Sequence, residues 1–329
     1  MEKNQELAHY QQLVAQLPQL RQEIGKVIVG QQQALNEMLI ALLAGGHCLL
    51  EGVPGLAKTL MVKTTAEALA MDFKRIQFTP DLMPGDIVGT EILEEDHETG
   101  RKFFKFNQGP LFAHVVLADE INRTPPKTQA ALLEAMQEGR VTYAGVDYPL
   151  PRPFFIIATQ NPIEQAGTYP LPEAQLDRFL LYIKLNYPSE TEELQVLRST
   201  TGTNRPVLNT VLSDEQILDL QRLTRQVHIS DELLGAINRL VRATRPEGTP
   251  SDFVKQWCDW GAGPRAGQAL VLCAKANAVL HERFAVVPDD IRALAFPVLR
   301  HRIALNFKAE AEGITPDRVI EALVKEMKL

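Results

Sequence analysis

Nine consecutive residues have the types and the spacing needed to hold a polyphosphate. They are Gly52, Val53, Pro54, Gly55, Leu56, Ala57, Lys58, Thr59 and Leu60. In such a loop, small residues let backbone N–H groups point at the phosphates, and Lys58 adds a positive charge for the β- and γ-phosphates. The Thr59 hydroxyl would complete the shell of a Mg²⁺ ion. On the loop alone, the alternative is a Gly/Pro turn that happens to precede Lys-Thr.

The segments on either side of this loop predict a strand and a helix. Cys48 to Leu50 is an apolar run typical of a buried strand, and Thr59 to Ala70 carries apolar residues at helical spacing. Phosphate-binding loops of the pattern G-x-x-x-x-G-K-[ST] lie between two such elements. Ala57 replaces the usual last glycine of the pattern, which is tolerable if this residue keeps a negative φ.

A pair of acidic residues follows a second apolar run. Val115 to Ala118 predicts a strand, and Asp119 and Glu120 come directly after it. At the carboxyl end of a parallel strand, Asp119 could hold Mg²⁺ through water, and Glu120 could polarise an attacking water molecule. A solvated acidic turn would have the same local sequence.

Three further residues and one turn could each serve either a structural role or a role in nucleotide binding or hydrolysis. Asn161 follows the apolar run that begins at Phe154, and could orient water or simply form an Asn-Pro turn. Arg178 and Arg265 could each form a salt bridge or contact a nucleotide, in the case of Arg178 the nucleotide of an adjacent subunit. The turn at Val29 and Gly30 could cover a nucleotide base or serve packing alone.

The composition is that of an ordinary globular protein with room for about two domains in 329 residues. The net charge of −7 argues against constitutive nucleic acid binding, although a ring can concentrate its basic residues in a pore. The three cysteines and seven histidines show no metal or disulfide spacing. The chain shows no signal segment, and its longest apolar run, Met38 to Ala44, is too short to span a bilayer. We therefore expect a cytoplasmic protein without membrane insertion.

The order of the predicted elements indicates an α/β nucleotide-binding fold. Strands starting at Cys48, Phe73, Val115, Phe154 and Leu180 alternate with helices, as in a five-stranded parallel sheet between helices. Two hairpins are predicted as insertions, at Thr90 to Phe106 and at Arg140 to Pro153. The first is either a contact surface or an ordinary edge hairpin. From Pro188 to Leu329 we expect an all-helical second domain, after a first domain of residues 1–187.

Taken together, these residues resemble the AAA+ ATPases, and among them the MoxR family. The matching stretches are Val29 to Gln31, Gly52 to Thr59, Asp119 to Arg123, Pro125 to Gln129, Ala158 to Pro162, Leu171 to Phe179 and Gly263 to Gly267. The resemblance implies a P-loop NTPase core followed by a helical lid. It also implies ATP and Mg²⁺ as ligands, with Walker A at Gly52 to Thr59 and Walker B at Asp119 and Glu120. Asn161 then matches sensor 1, Arg178 the trans-acting arginine finger and Arg265 sensor 2.

The resemblance further implies a ring, usually a hexamer, that acts as a chaperone on partner proteins. Such partners often contain a von Willebrand factor A domain, and metal-cofactor insertion is one such task. Within this family, the segments at 90–106 and 140–153 would be the insert in helix 2 and the hairpin before sensor 1. Two other functions stay open: a nucleic-acid motor, since replicative helicases share these insertions, and a module that binds nucleotide with little turnover.

Overall fold

The computed structural model describes residues 2–95, 98, 100–163, 167–202 and 206–327. The described chain contains a first part with most of the strands and a second part that is mainly helical. No helix among these residues is long and apolar enough to cross a lipid bilayer.

Nine strands lie in the first part. They are β1 (Cys48–Glu51), β2 (Phe73–Gln77), β3 (Gly89–Glu95), β4 (Lys102–Gln108), β5 (Val115–Asp119), β6 (Arg140–Tyr143), β7 (Val146–Pro149), β8 (Phe155–Gln160) and β9 (Leu181–Lys184). Five of them form one sheet in the order β2-β5-β8-β1-β9, and every neighbouring pair is parallel. These are the five predicted strands, so all their carboxyl ends lie at one edge of the sheet.

The sheet is buried on both faces because its central strands are apolar throughout. In β5, Val115 and Leu117 belong to one hydrophobic cluster, and Val116 and Ala118 belong to another on the opposite face. Alternate residues of a strand point to opposite faces, so a run without polar residues requires cover on both sides. That burial fixes the register of the residues that follow each strand.

Seven helices accompany these strands. They are α1 (Glu2–Val14), α2 (Leu17–Gly25), α3 (Gln32–Leu43), α4 (Lys58–Ala68), α5 (Pro84–Val88), α6 (Pro126–Glu138) and α7 (Glu173–Leu176). The apolar residues between Glu6 and Ile24 are divided between α1 and α2, and Pro18 lies in the first turn of α2. A proline is tolerated there because the first N–H groups of a helix have no partner in the helix.

Two antiparallel pairs, β3 with β4 and β6 with β7, lie in the regions of the two predicted insertions. The ring of Phe106 on β4 stacks on Tyr148 of β7 with centroids 4.3 Å apart, so the two hairpins are in contact. Part of the hairpin predicted at Thr90 to Phe106, at positions 96, 97 and 99, lies outside the described residues.

Eight helices and two short strands follow β9. They are α8 (Glu190–Thr200), α9 (Asp214–Gln226), α10 (Asp231–Ala243), α11 (Asp252–Trp257), β10 (Cys258–Trp260), α12 (Pro264–Leu280), α13 (Pro288–Leu299), β11 (Ala304–Leu305), α14 (Phe307–Ala311) and α15 (Pro316–Glu326). The long helix α12 packs against α3, α9, α10 and α13. The predicted division between residues 187 and 188 stays a prediction.

The predicted helical region after Pro188 also contains one short pair of strands. The segment from Arg245 to Gly263 contains α11 and β10, and β10 pairs with β11 in an antiparallel ladder. Each strand has only two or three residues, too few to show an alternating pattern in the sequence.

Candidate functional site

The loop of residues 52–59 joins the carboxyl end of β1 to the first turn of α4. The backbone amides of Gly55, Leu56 and Ala57 donate to no acceptor among the described residues. The Lys58 ammonium group crosses the loop and donates to the carbonyl oxygen of Gly52 at 2.5 Å. Unpaired amides at a helix N-terminus, beside a lysine, form a site for an anion such as a phosphate group.

The backbone of Ala57 departs from what the sequence suggested. Its φ of +55° lies in the left-handed region, where the expectation was that alanine is tolerated only at negative φ. A left-handed conformation costs an L-residue roughly 1–2 kcal/mol, which explains why glycine is usual here. The loop therefore keeps its shape at the expense of local strain, while Gly55 at φ +89° has none.

Asp119 is the last residue of β5 and is largely buried. Its Oδ1 accepts a hydrogen bond from the Thr159 hydroxyl at 2.5 Å. Its Oδ2 accepts from the Arg75 guanidinium, with the Nη2 to Oδ2 distance 2.6 Å. The neighbouring strands β2 and β8 therefore orient this carboxylate on both sides, which fixes it at the carboxyl edge of the sheet.

Glu120 has a left-handed backbone, with φ 57° and ψ 49°, and its side chain is held on one oxygen. Gln77 donates to Oε2 at 2.8 Å, and Arg123 donates to the same atom at 2.9 Å. The backbone N–H of Glu120 donates to the Thr159 hydroxyl at 2.9 Å. One threonine thus bridges the two acidic residues.

Asn161 follows β8 at the same edge and is 5% exposed. Its Oδ1 accepts a hydrogen bond from the Ile163 amide at 3.2 Å. This bond closes a turn at Asn161 and Pro162, as expected for an Asn-Pro sequence. The Nδ2 group donates to no acceptor in the described part of the chain. Gln160, the residue before Asn161, pairs with Glu51, the residue before the loop. Lys58, Asp119 and Asn161 therefore share one edge of the sheet.

The turn at Val29 and Gly30 is brought toward the same edge by the segment after β9. The Gln31 side chain donates to the Asn186 carbonyl at 2.7 Å, and the site of a Cβ on Gly30 lies 3.3 Å from the Glu192 carboxyl carbon. Leu185 is in close contact with Gly52, where a Cβ would lie 2.9 Å from the Leu185 Cβ. The turn, the start of α8 and the loop are therefore neighbours.

Arg178 and Arg265 lie together, but away from the loop of their own chain. Arg178 precedes β9, whose amino end pairs with the amino end of β1. The four residues of the strand therefore separate Arg178 from the carboxyl edge of the sheet by about 13 Å. Arg178 donates to the Leu133 carbonyl at 3.1 Å, and the Arg265 Nη1 lies 3.8 Å from the Asp177 carboxylate. Neither arginine forms a hydrogen bond or ion pair with the loop in the described chain.

A short segment after α13 fastens the helices to the residues around Arg178. Arg302 is almost fully buried and donates to the Asp177 carboxylate at 2.7 Å and to the Phe179 carbonyl at 2.8 Å. The His301 ring also contacts the Phe179 carbonyl, and burial lowers the pKa of His301 well below its usual value. Arg300 donates to the Tyr182 carbonyl at 3.0 Å.

Sequence reasoning assigned no role to Gln77, Thr159 or Arg302. Gln77 and Thr159 are polar residues at the carboxyl ends of predicted strands, the same signal that singled out Asp119, so they could have been found. Nothing in the sequence places Arg302 beside Asp177, because 125 residues separate them along the chain.

The oxygen donors at this edge fit a magnesium ion. Mg²⁺ prefers one or two protein oxygens, several waters and phosphate oxygens. The Thr59 hydroxyl makes no hydrogen bond among the described residues. The Asp119 carboxylate lies at the carboxyl end of β5, which β8 separates from β1 in the sheet. No cluster of three or more His, Cys, Asp or Glu side chains in the described chain forms a metal site by itself.

Comparison with protein families finds two matches. The family described as ATPases associated with various cellular activities (AAA) matches residues 47–181, and the AAA lid domain matches residues 254–323. The predicted fold class, an α/β AAA+ core with a five-stranded parallel sheet followed by a helical lid, is therefore confirmed.

Known proteins similar to the chain include Chaperone MoxR1 of Mycobacterium tuberculosis, which is 44% identical over 93% of this chain and 80% of its own length. The uncharacterised protein YeaC of Bacillus subtilis is 44% identical over 98% of each chain. A crystal structure of an inferred ATPase from Cytophaga hutchinsonii is 43% identical, covers 99% of this chain and 98% of its own, and superposes with a TM-score of 0.92.

Proposed function

Because this chain belongs to the MoxR family of AAA+ ATPases, we propose that it hydrolyses ATP at a site shared between two copies of itself. The observation that carries the proposal is the meeting of three features at one sheet edge. These are the loop with unpaired amides, the acidic pair bridged by Thr159, and the buried amide of Asn161.

In this proposal, the loop binds the phosphates through its amides and through Lys58, which exchanges the Gly52 carbonyl for a phosphate oxygen. Leu60 and the turn at Val29 and Gly30 flank the nucleotide. Thr59 and, through water, Asp119 would hold Mg²⁺, which neutralises charge on the phosphate oxygens.

Glu120 orients the attacking water molecule, and the side-chain amide of Asn161 forms a hydrogen bond with that water. To do so, the Glu120 carboxylate must turn away from Gln77 and Arg123, which both hold its Oε2. Two hydrogen bonds of about 1 kcal/mol or more each favour the held position. Turnover is therefore expected to depend on an event that releases this side chain.

The arginines act on the nucleotide of the next copy. Arg178 and Arg265 lie at the amino edge of the sheet, too far from their own loop, so both are available to a neighbour. An arginine supplied in trans stabilises charge in phosphoryl-transfer transition states and is worth on the order of 10³-fold or more in turnover. Arg265, predicted as a nucleotide ligand, would then serve the same neighbouring site as Arg178.

We further propose that copies assemble into a ring, a hexamer in our expectation, in the cytoplasm. Hydrolysis there would drive maturation or activation of partner proteins. The support for a role on other proteins is that one relative, Chaperone MoxR1, is named a chaperone. Partners with a von Willebrand factor A domain are our first candidates. Direct binding of nucleic acid is not part of the proposal.

Two substitutions test the hydrolytic site. Glu120→Gln should retain ATP binding while phosphate release falls by at least about a hundredfold, because the water loses its orienting carboxylate. Arg178→Ala should lower turnover on the order of a thousandfold without loss of binding. Glu138→Gln and Arg292→Ala, at exposed positions, are the matched controls.

Wild-type phosphate release in either variant would show that the roles are assigned wrongly. Turnover absent from the wild type itself would favour the module that only binds nucleotide. Stimulation by single-stranded DNA that falls steeply with salt would favour the nucleic-acid motor.

A further inference from the structure

A groove of about 700 Å³ lies in the lid between α10 and α12. Its apolar wall includes Ile237, Val241 and Val271, and its polar rim includes Arg225, Arg242 and Arg245. No acidic residue lines it in the described chain. The groove is therefore apolar at its base and strongly positive at its rim.

Two of the rim arginines have no partner among the residues that the structure describes. The side chains of Arg225 and Arg242 are exposed and form no hydrogen bond or ion pair with the described residues. Arg245 donates from Nε to the Ala262 carbonyl at 3.0 Å, and no carboxylate of the described chain pairs with it. Unpaired arginines around an apolar groove are typical of a surface that binds an acidic, amphipathic segment.

Helix α8 is such a segment, and it is nearly free of the rest of the molecule. None of its residues is buried. Glu190, Glu193, Leu194 and Leu197 occupy positions i, i+3, i+4 and i+7, so they share one face of the helix. Leu194 is 49% exposed and Leu197 is 58% exposed. This face has the apolar and acidic character that the groove lacks.

The groove and α8 belong to opposite sides of the proposed two-copy site. Gln268 on α12 lines both the groove and the smaller cavity that holds Arg178 and Arg265. Helix α8 begins five residues after Leu185, which contacts Gly52 of the phosphate loop. When Arg178 of one copy reaches the phosphate loop of the next copy, the groove of the first copy comes close to α8 of the second copy.

We propose that the groove of one copy binds α8 of the adjacent copy. Leu194 and Leu197 pack on the apolar wall, while Glu190 and Glu193 pair with Arg225 and Arg242. The contact is of the head-to-tail kind, which repeats around a ring. It rests on the proposed function, because the shared nucleotide site is what sets the two surfaces opposite each other.

Charge reversal on each side tests the contact. The acidic side is changed by Glu190→Lys with Glu193→Lys, and the basic side by Arg225→Glu with Arg242→Glu. Assembly is measured by sedimentation velocity with ATP and Mg²⁺ on the Glu120→Gln background, and circular dichroism verifies folding. Each reversal should raise the protein concentration for half-assembly by about tenfold or more, and the fourfold variant should restore assembly to within about threefold.

The matched control is Glu312→Lys with Glu321→Lys, two exposed acids elsewhere in the lid, and it should leave assembly unchanged. Assembly of the wild type should also weaken as salt rises from about 0.05 M to about 0.3 M. Unchanged assembly in both reversals, or no recovery in the fourfold variant, would overturn the contact. Loss of client binding with assembly intact would instead assign α8 to the client.

Failure of the contact is distinguishable from failure of the proposed function. If the contact is wrong, the wild type still assembles and hydrolyses ATP, and Arg178→Ala still abolishes turnover. If the wild type neither assembles nor responds to loss of Arg178, the shared site is wrong, and the contact fails with it.

Discussion

Replacing Thr159 with valine removes a single hydroxyl group that holds both acidic residues of the site. Thr159 is fully buried, and its Oγ1 donates to the Asp119 carboxylate at 2.5 Å while accepting from the Glu120 amide at 2.9 Å. Valine has nearly the same volume, so the substitution leaves no cavity and removes only the hydrogen bonds.

The magnitude follows from those two bonds. A hydrogen bond to a charged group contributes about 1.5–3 kcal/mol, and an amide left buried without a partner costs about 1–3 kcal/mol. We therefore expect Thr159→Val to lower the free energy of unfolding by about 3 kcal/mol. Turnover should fall about ten- to a hundredfold, because Asp119 and Glu120 lose the bond that sets their relative position.

The assay combines urea unfolding with phosphate release under saturating ATP. Thr224→Val is the matched control, since Thr224 is equally buried but bonds only to the Leu220 carbonyl of its own helix. The control should keep wild-type turnover and lose about 1 kcal/mol of stability or less. If Thr159→Val matches the control in both measurements, the bridge has no part in holding the acidic pair.

Three further outcomes are expected. Gln77→Ala removes a hydrogen bond of about 1 kcal/mol from Glu120, so turnover without a partner protein should rise roughly three- to tenfold, and an unchanged rate would contradict the holding role. Ala57→Gly removes the strain of a left-handed alanine but raises the conformational entropy of the unfolded chain. The first effect is the larger, so the free energy of unfolding measured by urea titration should rise by about 0.5–1 kcal/mol. A decrease would show that the strain is absent. Burial lowers the pKa of His47 from 6.5 to about 4, so the unfolded chain binds the proton first, and stability present above pH 6.5 should be lost by up to about 3 kcal/mol as the pH falls toward 4. His47→Gln should reduce that slope but leave a part of the same sign, because burial also lowers the pKa of His301. A slope equal to that of the wild type would exclude a contribution from His47.

The strand ends were predictable from the sequence because the information is local. An apolar run of four or five residues predicts a buried strand, and parallel strands place their carboxyl ends at one edge. That reasoning brought Gly52, Asp119 and Asn161 together without any distance measurement. The structure adds Thr159, whose hydrogen-bond partners lie 39 and 40 residues away in sequence. The sequence pattern places Thr159 at the end of a strand, but it does not show which residues Thr159 bonds to.

The placement of Arg265 and the backbone of Ala57 could not be predicted in the same way. Arg265 opens α12, and its position depends on how α12 packs against α3, α10 and α13, which no local pattern encodes. The φ of Ala57 is imposed by the turn between β1 and α4, against the preference of alanine itself. Both are cases in which tertiary structure overrides a tendency of the residue.

The link between the lid and Arg178 follows from Arg302. Its guanidinium donates to the Asp177 carboxylate, which the Arg265 side chain also approaches, and to the Phe179 carbonyl, so the residues on both sides of Arg178 are tied to the lid. Hydrogen bonds from a charged group are worth about 1.5–3 kcal/mol each, and burial raises the cost of leaving that charge unpaired. A lid displacement that separated these groups would break at least two such bonds. These bonds couple the lid to the segment around Arg178. If the arginines act on the neighbouring copy as we propose, a lid motion in one copy would shift the arginines offered to the next.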